Sequence, residues 1–245
     1  STMEGRRFQV IEPDPLNFDS NPKFSITNHK YIIMHITTGT RMESTINTFR
    51  NPASGVSAHL LIGREGQVVQ FLPFDKIAWH SGYSWWEGDS SLNSFSIGIE
   101  LDNAGPLEKN ETGQWVPLHK KIVIPDEKVQ LARHWKETRE RGWEKFTDIQ
   151  LQVALDIVKA LAAKYGSIVE ILGHDVVNLH NRTDPGALFP MEDFREQLFG
   201  RKQPIIKEYE VNIESVLYAN RDGDLPDLAS NTWGSLLPKG AQVEI

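Results

Sequence analysis

Short apolar runs punctuate most of this chain, and their spacing predicts a framework before any chemistry is considered. KYIIMHIT (30–37) is rich in β-branched and aromatic residues, so it reads as a buried strand whose polar end is His35-Ile36-Thr37-Thr38-Gly39. Beyond that glycine, MESTINTFR places Met42, Ile46 and Phe49 on one side of a short helix. SAHLLIG (57–63) and QVVQFLP (67–73) flank Arg64-Glu65-Gly66 and read as a hairpin, with glycine available for a positive φ. FSIGIELD (95–102) is a further strand, and Gly98 in its middle marks a bulge or a close approach of neighbouring atoms.

The clearest helix is TDIQLQVALDIVKALAAKYG (147–166), where Thr147 and Gln150 form a capping-box pattern, apolar positions recur at helical spacing and Gly166 supplies the stop. SIVEILG (167–173) reads as a strand, and Pro190 and Gly200 bracket a last short helix over 190–199. Residues 8–29 are rich in Pro, Asn and Asp without periodicity and read as a surface arm. Residues 103–125 carry turn signals and read as an excursion with one hairpin. This alternation predicts an α/β fold, a central mixed β-sheet flanked by helices. RKQPIIKEYE then reads as a linker, and two β-rich runs after it as a short all-β C-terminal extension. The expected organisation is an arm over 1–27, one main domain over 28–200, a linker over 201–210 and a β-rich tail over 211–245.

Composition narrows the function. The 245 residues suffice for a substantial core, and no uninterrupted apolar run approaches the roughly 20 residues of a membrane helix, so no transmembrane segment is expected. A formal net charge of −7 removes nucleic acid from the expected partners, since that binding needs Lys and Arg against phosphates. Without cysteine there are no disulfides, thiolate nucleophiles or Cys-based zinc sites, and any metal must be held by His, Asp, Glu or water. Ser1-Thr2 ahead of Met3 reads as a remnant of expression, and no apolar run of the signal-peptide kind follows the Arg6-Arg7 pair. A signal sequence removed beforehand is compatible with that start.

Polar residues at strand ends are aimed rigidly into whatever cleft the following loops shape. Four stand out: His35, Glu100, His174 and Asp184, the last two within ILGHDVVNLHNRTDPG (171–186). Two imidazoles and a carboxylate suit zinc, which in catalytic sites takes three protein ligands and keeps a fourth position for water. Other readings stay open from position alone. A histidine after a strand is commonly a hydrogen-bonded structural residue, Asp184-Pro185-Gly186 equally suits a turn capped by Asp184, and Glu100 equally suits a solvated or ion-paired strand position. His180 and Asp175 are nearby alternative ligands.

The blocks IIMHIT, SAHLLIGREGQVVQFLPFDKIAWHSG, NSFSIGIELDN and ILGHDVVNLHNRTDPG, in that order, resemble the type 2 N-acetylmuramoyl-L-alanine amidases. These share the zinc amidase fold with the peptidoglycan recognition proteins, and the resemblance covers about residues 28–200. It implies that His35, His174 and Asp184 are the zinc ligands and that Glu100 is the acidic residue working on the attacking water. Arg182 stands where many members carry lysine, two residues before the aspartate. It keeps a positive charge for an oxyanion but is a poor proton donor, with a surface ion pair as its alternative.

Trp79-His80-Ser81-Gly82 matches the family's WH-G segment, and Trp79 and His80 are assigned to substrate binding together with Thr37; a structural turn is the alternative for the segment. Tyr83, Trp85 and Trp86 either stack on sugar faces or cover the core, His59 reads as structural or supporting, and His29, His119 and His134 have no assigned role. GSLLPKGAQVEI resembles the first part of a bacterial SH3-like wall-binding module. The implied activity is Zn2+-dependent hydrolysis of the amide between the lactyl group of N-acetylmuramic acid and L-alanine, in peptidoglycan or muropeptides. The implied location is the cell envelope, periplasmic or secreted, with cytoplasmic recycling as the alternative. The rival reading is a non-catalytic peptidoglycan-binding protein of the same fold, against which the complete ligand set argues.

Overall fold

The computed structural model describes residues 8–10, 18–19, 25–118, 122–178 and 180–206; the expected tail at 211–245 and His119 lie outside them. The chain divides into two units, Ser1–Pro204 and Ile205–Ile245, and every element below belongs to the first.

Six strands form one sheet in the order Phe8–Val10, Val68–Gln70, Leu60–Ile62, Ser96–Leu101, Tyr31–Ile36, Glu170–Gly173. The 60–70 hairpin is antiparallel and the remaining pairings are parallel, which gives the expected mixed sheet. Side chains alternate faces along a strand. Ile32, Met34 and Ile36, with Ile97, Ile99 and Leu101, therefore share one face and bury against Val153, Ile157 and Leu161 of α2 (Asp148–Lys164) and Phe194 of α4 (Met191–Phe199). The alternate residues, Tyr31, Ile33 and His35 beside Ser96, Gly98 and Glu100, belong to the opposite face. Tyr31 and Ile33 pack there with Leu92, Leu172 and Val177. On the other half of the sheet, α1 (Met42–Arg50) sets Phe49, Met42 and Ile46 against Leu61, Val69 and Phe71, the helix face that the sequence spacing predicts.

Thr147 caps α2 by accepting from the Gln150 amide at 3.2 Å. Gln150 does not complete a reciprocal box. Its buried amide instead donates to the carbonyls of Ile62 and Asp102, each at 3.0 Å, which joins the start of α2 to the ends of two strands. The helix also ends at Lys164, with Tyr165 at the cap, and Gly166 does not take the positive φ expected of a stop. Gly200, with φ 68°, does close α4 in that way.

Three further expectations change. The arm contributes strands: Phe8–Val10 pairs with Val68–Gln70 and Phe18–Asp19 with Ile77–Ala78. Runs of three and two residues are too short to show a period in the sequence. The excursion holds its expected hairpin, Pro106–Lys109 with Trp115–Pro117, but Val129–Ala132 and Arg141–Glu144 extend it to a four-stranded second sheet. The strand expected at 167–173 begins only at Glu170.

Candidate active site

Parallel register sets the site. His35 pairs directly with Glu100 across adjacent strands, and Gly173 pairs with Met34 on the other side. The next residue, His174, begins the one-turn helix α3 (His174–Val177) and rises beside His35, with ring centroids 4.5 Å apart. The chain then loops back so that the Asp175 amide donates to the Asp184 carbonyl at 2.8 Å. Asp184 Oδ2 consequently lies 3.1 Å from His35 Nδ1 and 3.0 Å from His174 Nδ1. One donor atom from each of the three falls within 4.8 Å of the others.

Asp175 and His180 stand outside this group. The Asp175 carboxylate accepts from His134 Nε2 at 2.9 Å and Trp135 Nε1 at 2.7 Å, while His180 packs its ring against Tyr83. These contacts dock the excursion beside the site, and Lys136 adds a 3.1 Å bond to the Arg182 carbonyl. Sequence reasoning left His134 without a role because it sits in a charged, aperiodic segment, and nothing local marks its partner 41 positions away.

The donor set fits a cation. His174 Nε2 faces the Ser81 carbonyl at 3.3 Å, an acceptor that would take the ring hydrogen when Nδ1 ligates a cation. Burial, helped by neighbouring His174, lowers His35 to about 4, so it is neutral at neutral pH. Burial alone would raise Asp184, but the Nδ1–H groups of His174 and His35 that donate to it outweigh that and hold it well below the usual carboxylate range. An ionised carboxylate and two imidazole nitrogens that converge on one point can hold a divalent metal ion, which would take the place of the Nδ1 hydrogens.

Glu100 Oε2 is buried without a hydrogen-bond partner. Burial, and then the negative charge of Asp184, raises Glu100 to about 8. The triad and Glu100 open on a cleft of about 390 Å³ whose walls include Thr37, Trp79 and exposed Arg182. Thr37 Oγ1 accepts from the Gly39 amide at 3.1 Å and shapes the cleft edge. Trp79 is exposed, whereas His80 is buried with its nitrogens directed at His35 and Ser96. His59 accepts from the Gly98 amide at 3.0 Å and donates to the Lys76 carbonyl at 2.8 Å, a tie between strand and loop. Tyr83 is exposed, and Trp86 packs on the Tyr31 cluster.

Fold and site together define an α/β protein with a His-His-Asp centre at the ends of parallel strands. A family model described as N-acetylmuramoyl-L-alanine amidase matches residues 26–187, and the chain belongs to that family. It is 33% identical over 141 residues to the 1,6-anhydro-N-acetylmuramyl-L-alanine amidase AmpD of Salmonella typhimurium, covering 57% of this chain and 56% of the relative. Escherichia coli N-acetylmuramoyl-L-alanine amidase AmiD is 26% identical over 179 residues, covering 70% and 54%. The matches thus span little more than half the length of these relatives. The fold is also similar to that of E. coli AmiD in complex with anhydro-N-acetylmuramic acid-L-Ala-D-γ-Glu-L-Lys, with a TM-score of 0.52, 23% identity and coverage of 78% of this chain and 69% of that one. No helix among the described residues is long and apolar enough to cross a membrane.

Proposed function

We propose that this chain is a zinc-dependent amidase that hydrolyses the bond between the lactyl group of N-acetylmuramic acid and L-alanine in muropeptides or peptidoglycan. The observation that carries this reading is the convergence of His35, His174 and Asp184 in the cleft bordered by Glu100 and Arg182. The names of AmpD and AmiD, and the anhydromuropeptide held by AmiD, support the substrate class.

His35 Nδ1, His174 Nδ1 and an Asp184 oxygen would hold the ion. Zinc in such a site supplies Lewis acidity, lowering the pKa of a water ligand from 15.7 toward about 7 and polarising the substrate carbonyl. Glu100 moves the proton: as a C–O bond forms from water and the C–N bond breaks, the hydrogen leaving water passes through its carboxylate to the departing nitrogen. An amide nitrogen leaves poorly unless protonated, so this transfer is required. Arg182 offers charge to the carbonyl oxygen rather than a transferable proton. Trp79 presents an indole to the substrate, with Thr37 at the cleft edge. We place the activity at the cell envelope, where peptidoglycan lies, with cytoplasmic recycling as the alternative that fractionation decides.

Zinc-loaded protein incubated with anhydromuropeptides should release stem peptides that begin with L-alanine, and EDTA should stop the release. New glycan reducing ends, or cuts inside the peptide, would overturn the assigned bond.

A further inference from the structure

We propose that His80 and Ser96 are positioning residues that take up the hydrogen of His35 on Nε2 when a metal ion binds, so that Nδ1 is the nitrogen free to ligate beside Asp184. This rests on the metal-site reading above and deepens it. Ser96 has one hydroxyl hydrogen, which it donates to the Leu92 carbonyl at 2.6 Å. His80 Nε2, 3.3 Å from the same oxygen, must therefore bring its own hydrogen. A neutral imidazole has a single N–H, so His80 Nδ1 carries a lone pair. It lies 3.0 Å from His35 Nε2, which donates to it when Nδ1 ligates a cation. The chain of donors runs one way because it ends on a backbone carbonyl. With the opposite tautomer, His80 would turn a hydrogen toward His35 Nε2 and send the hydrogen of His35 to Nδ1, against the position of the cation.

The surroundings are built for this ring. His80 is 9% exposed, and burial, with the imidazoles of His35, His59 and His174 near it, disfavours a positive charge on its ring. A Cβ at Gly98 would sit 2.5 Å from the His80 ring, and only glycine leaves that space between Ser96 and Glu100. The backbone amides of His80 and Ser81 both donate to Asn93 Oδ1, at 3.1 and 2.9 Å. The Ser81 carbonyl then faces His174 Nε2. One dipeptide thus sets both imidazoles, through the His80 side chain for His35 and the Ser81 carbonyl for His174. With both ring nitrogens engaged, His80 has none left for substrate.

Long-range 1H–15N correlation spectra of the zinc-loaded protein should show His80 with its hydrogen on Nε2 and its Nδ1 accepting from His35. Ser96→Ala should mix the tautomers of His80. By chelator competition, Ser96→Ala and His80→Leu should weaken zinc binding by about 10–100-fold. His80→Gln, whose amide oxygen accepts from His35, should stay close to wild type. Melting of each metal-free variant separates loss of fold from loss of positioning. A zinc-loaded wild type whose His80 carries its hydrogen on Nδ1, or variants that hold zinc as wild type does, would overturn the inference. Protein that binds zinc with the expected tautomer yet leaves muropeptides intact would instead sink the amidase reading alone.

Discussion

His35 and Glu100 lie opposite one another on adjacent parallel strands, so a candidate metal ligand and a carboxylate reach the same face at the same height. Both stand near the carboxyl ends of their strands, where open α/β sheets place ligands. The orphaned Oε2 of Glu100 is available to a substrate proton rather than tied to the protein. Glu100→Gln should therefore keep its zinc while turnover falls by about 100-fold or more, as for loss of a general base. Metal analysis alongside turnover checks this; a variant that loses zinc would make Glu100 a ligand.

Gly98 is constrained by what lies over it, since an added Cβ would meet three His80 ring atoms at 2.5–2.7 Å. The ring is held at both nitrogens and cannot swing aside freely. Gly98→Ala should destabilise the protein by about 1–3 kcal/mol, the range for overpacking. Urea unfolding with and without zinc measures it. An unchanged midpoint would mean that the ring is looser than its bonds imply.

Asp102 carries a different strain. Burial, and then Glu144, raises its carboxyl from 3.8 to about 6, while Thr37 Oγ1 donates to it at 3.4 Å. Between about 4 and 6 the native protein holds a proton that the unfolded chain has released, so this group's stabilisation is full below that window and lost as pH rises through it. Wild type should lose stability relative to Asp102→Asn across that window and remain below it at higher pH. Paired denaturant titrations at pH 4, 5, 6 and 7 test this, and a constant difference would remove Asp102 as the cause.

Elements that carry a repeated hydrophobic signal are legible from sequence. The Tyr31–Ile36 strand, the α1 face of Met42, Ile46 and Phe49, the Thr147 cap and the 60–70 hairpin all form as expected. The candidate cluster was legible because polar side chains interrupt apolar runs at strand ends, and the structure brings His35, His174 and Asp184 together. Strands held by non-local partners were not. Val129–Ala132 is half-exposed or exposed throughout, so it shows no apolar period, and Phe18–Asp19 has two residues. His80 gives the sharper lesson: it lines the cleft, as its sequence context suggests, but only the crossing of Ser96, Gly98 and His35 reveals where its nitrogens point.

The strand that delivers His174 is itself anchored by charge. Glu170, 1% exposed, accepts from Arg195 Nε at 2.8 Å, from Arg201 at 2.9 Å and from the Ile171 amide at 3.0 Å. Arg195 also donates to the Ile171 carbonyl at 3.1 Å, which binds α4 to the strand leading to the site. Removing Arg195 leaves a buried carboxylate short of its main partner, and Arg195→Met should destabilise by about 3–5 kcal/mol. In the double variant Glu170→Leu with Arg195→Met no carboxylate is stranded, and half-buried Arg201 keeps its bonds to the Gln203 and Val169 carbonyls, so much of that loss should return. Urea unfolding of the three proteins decides between causes, because equal losses in the single and double variants would assign the effect to packing of α4 rather than to an uncompensated charge.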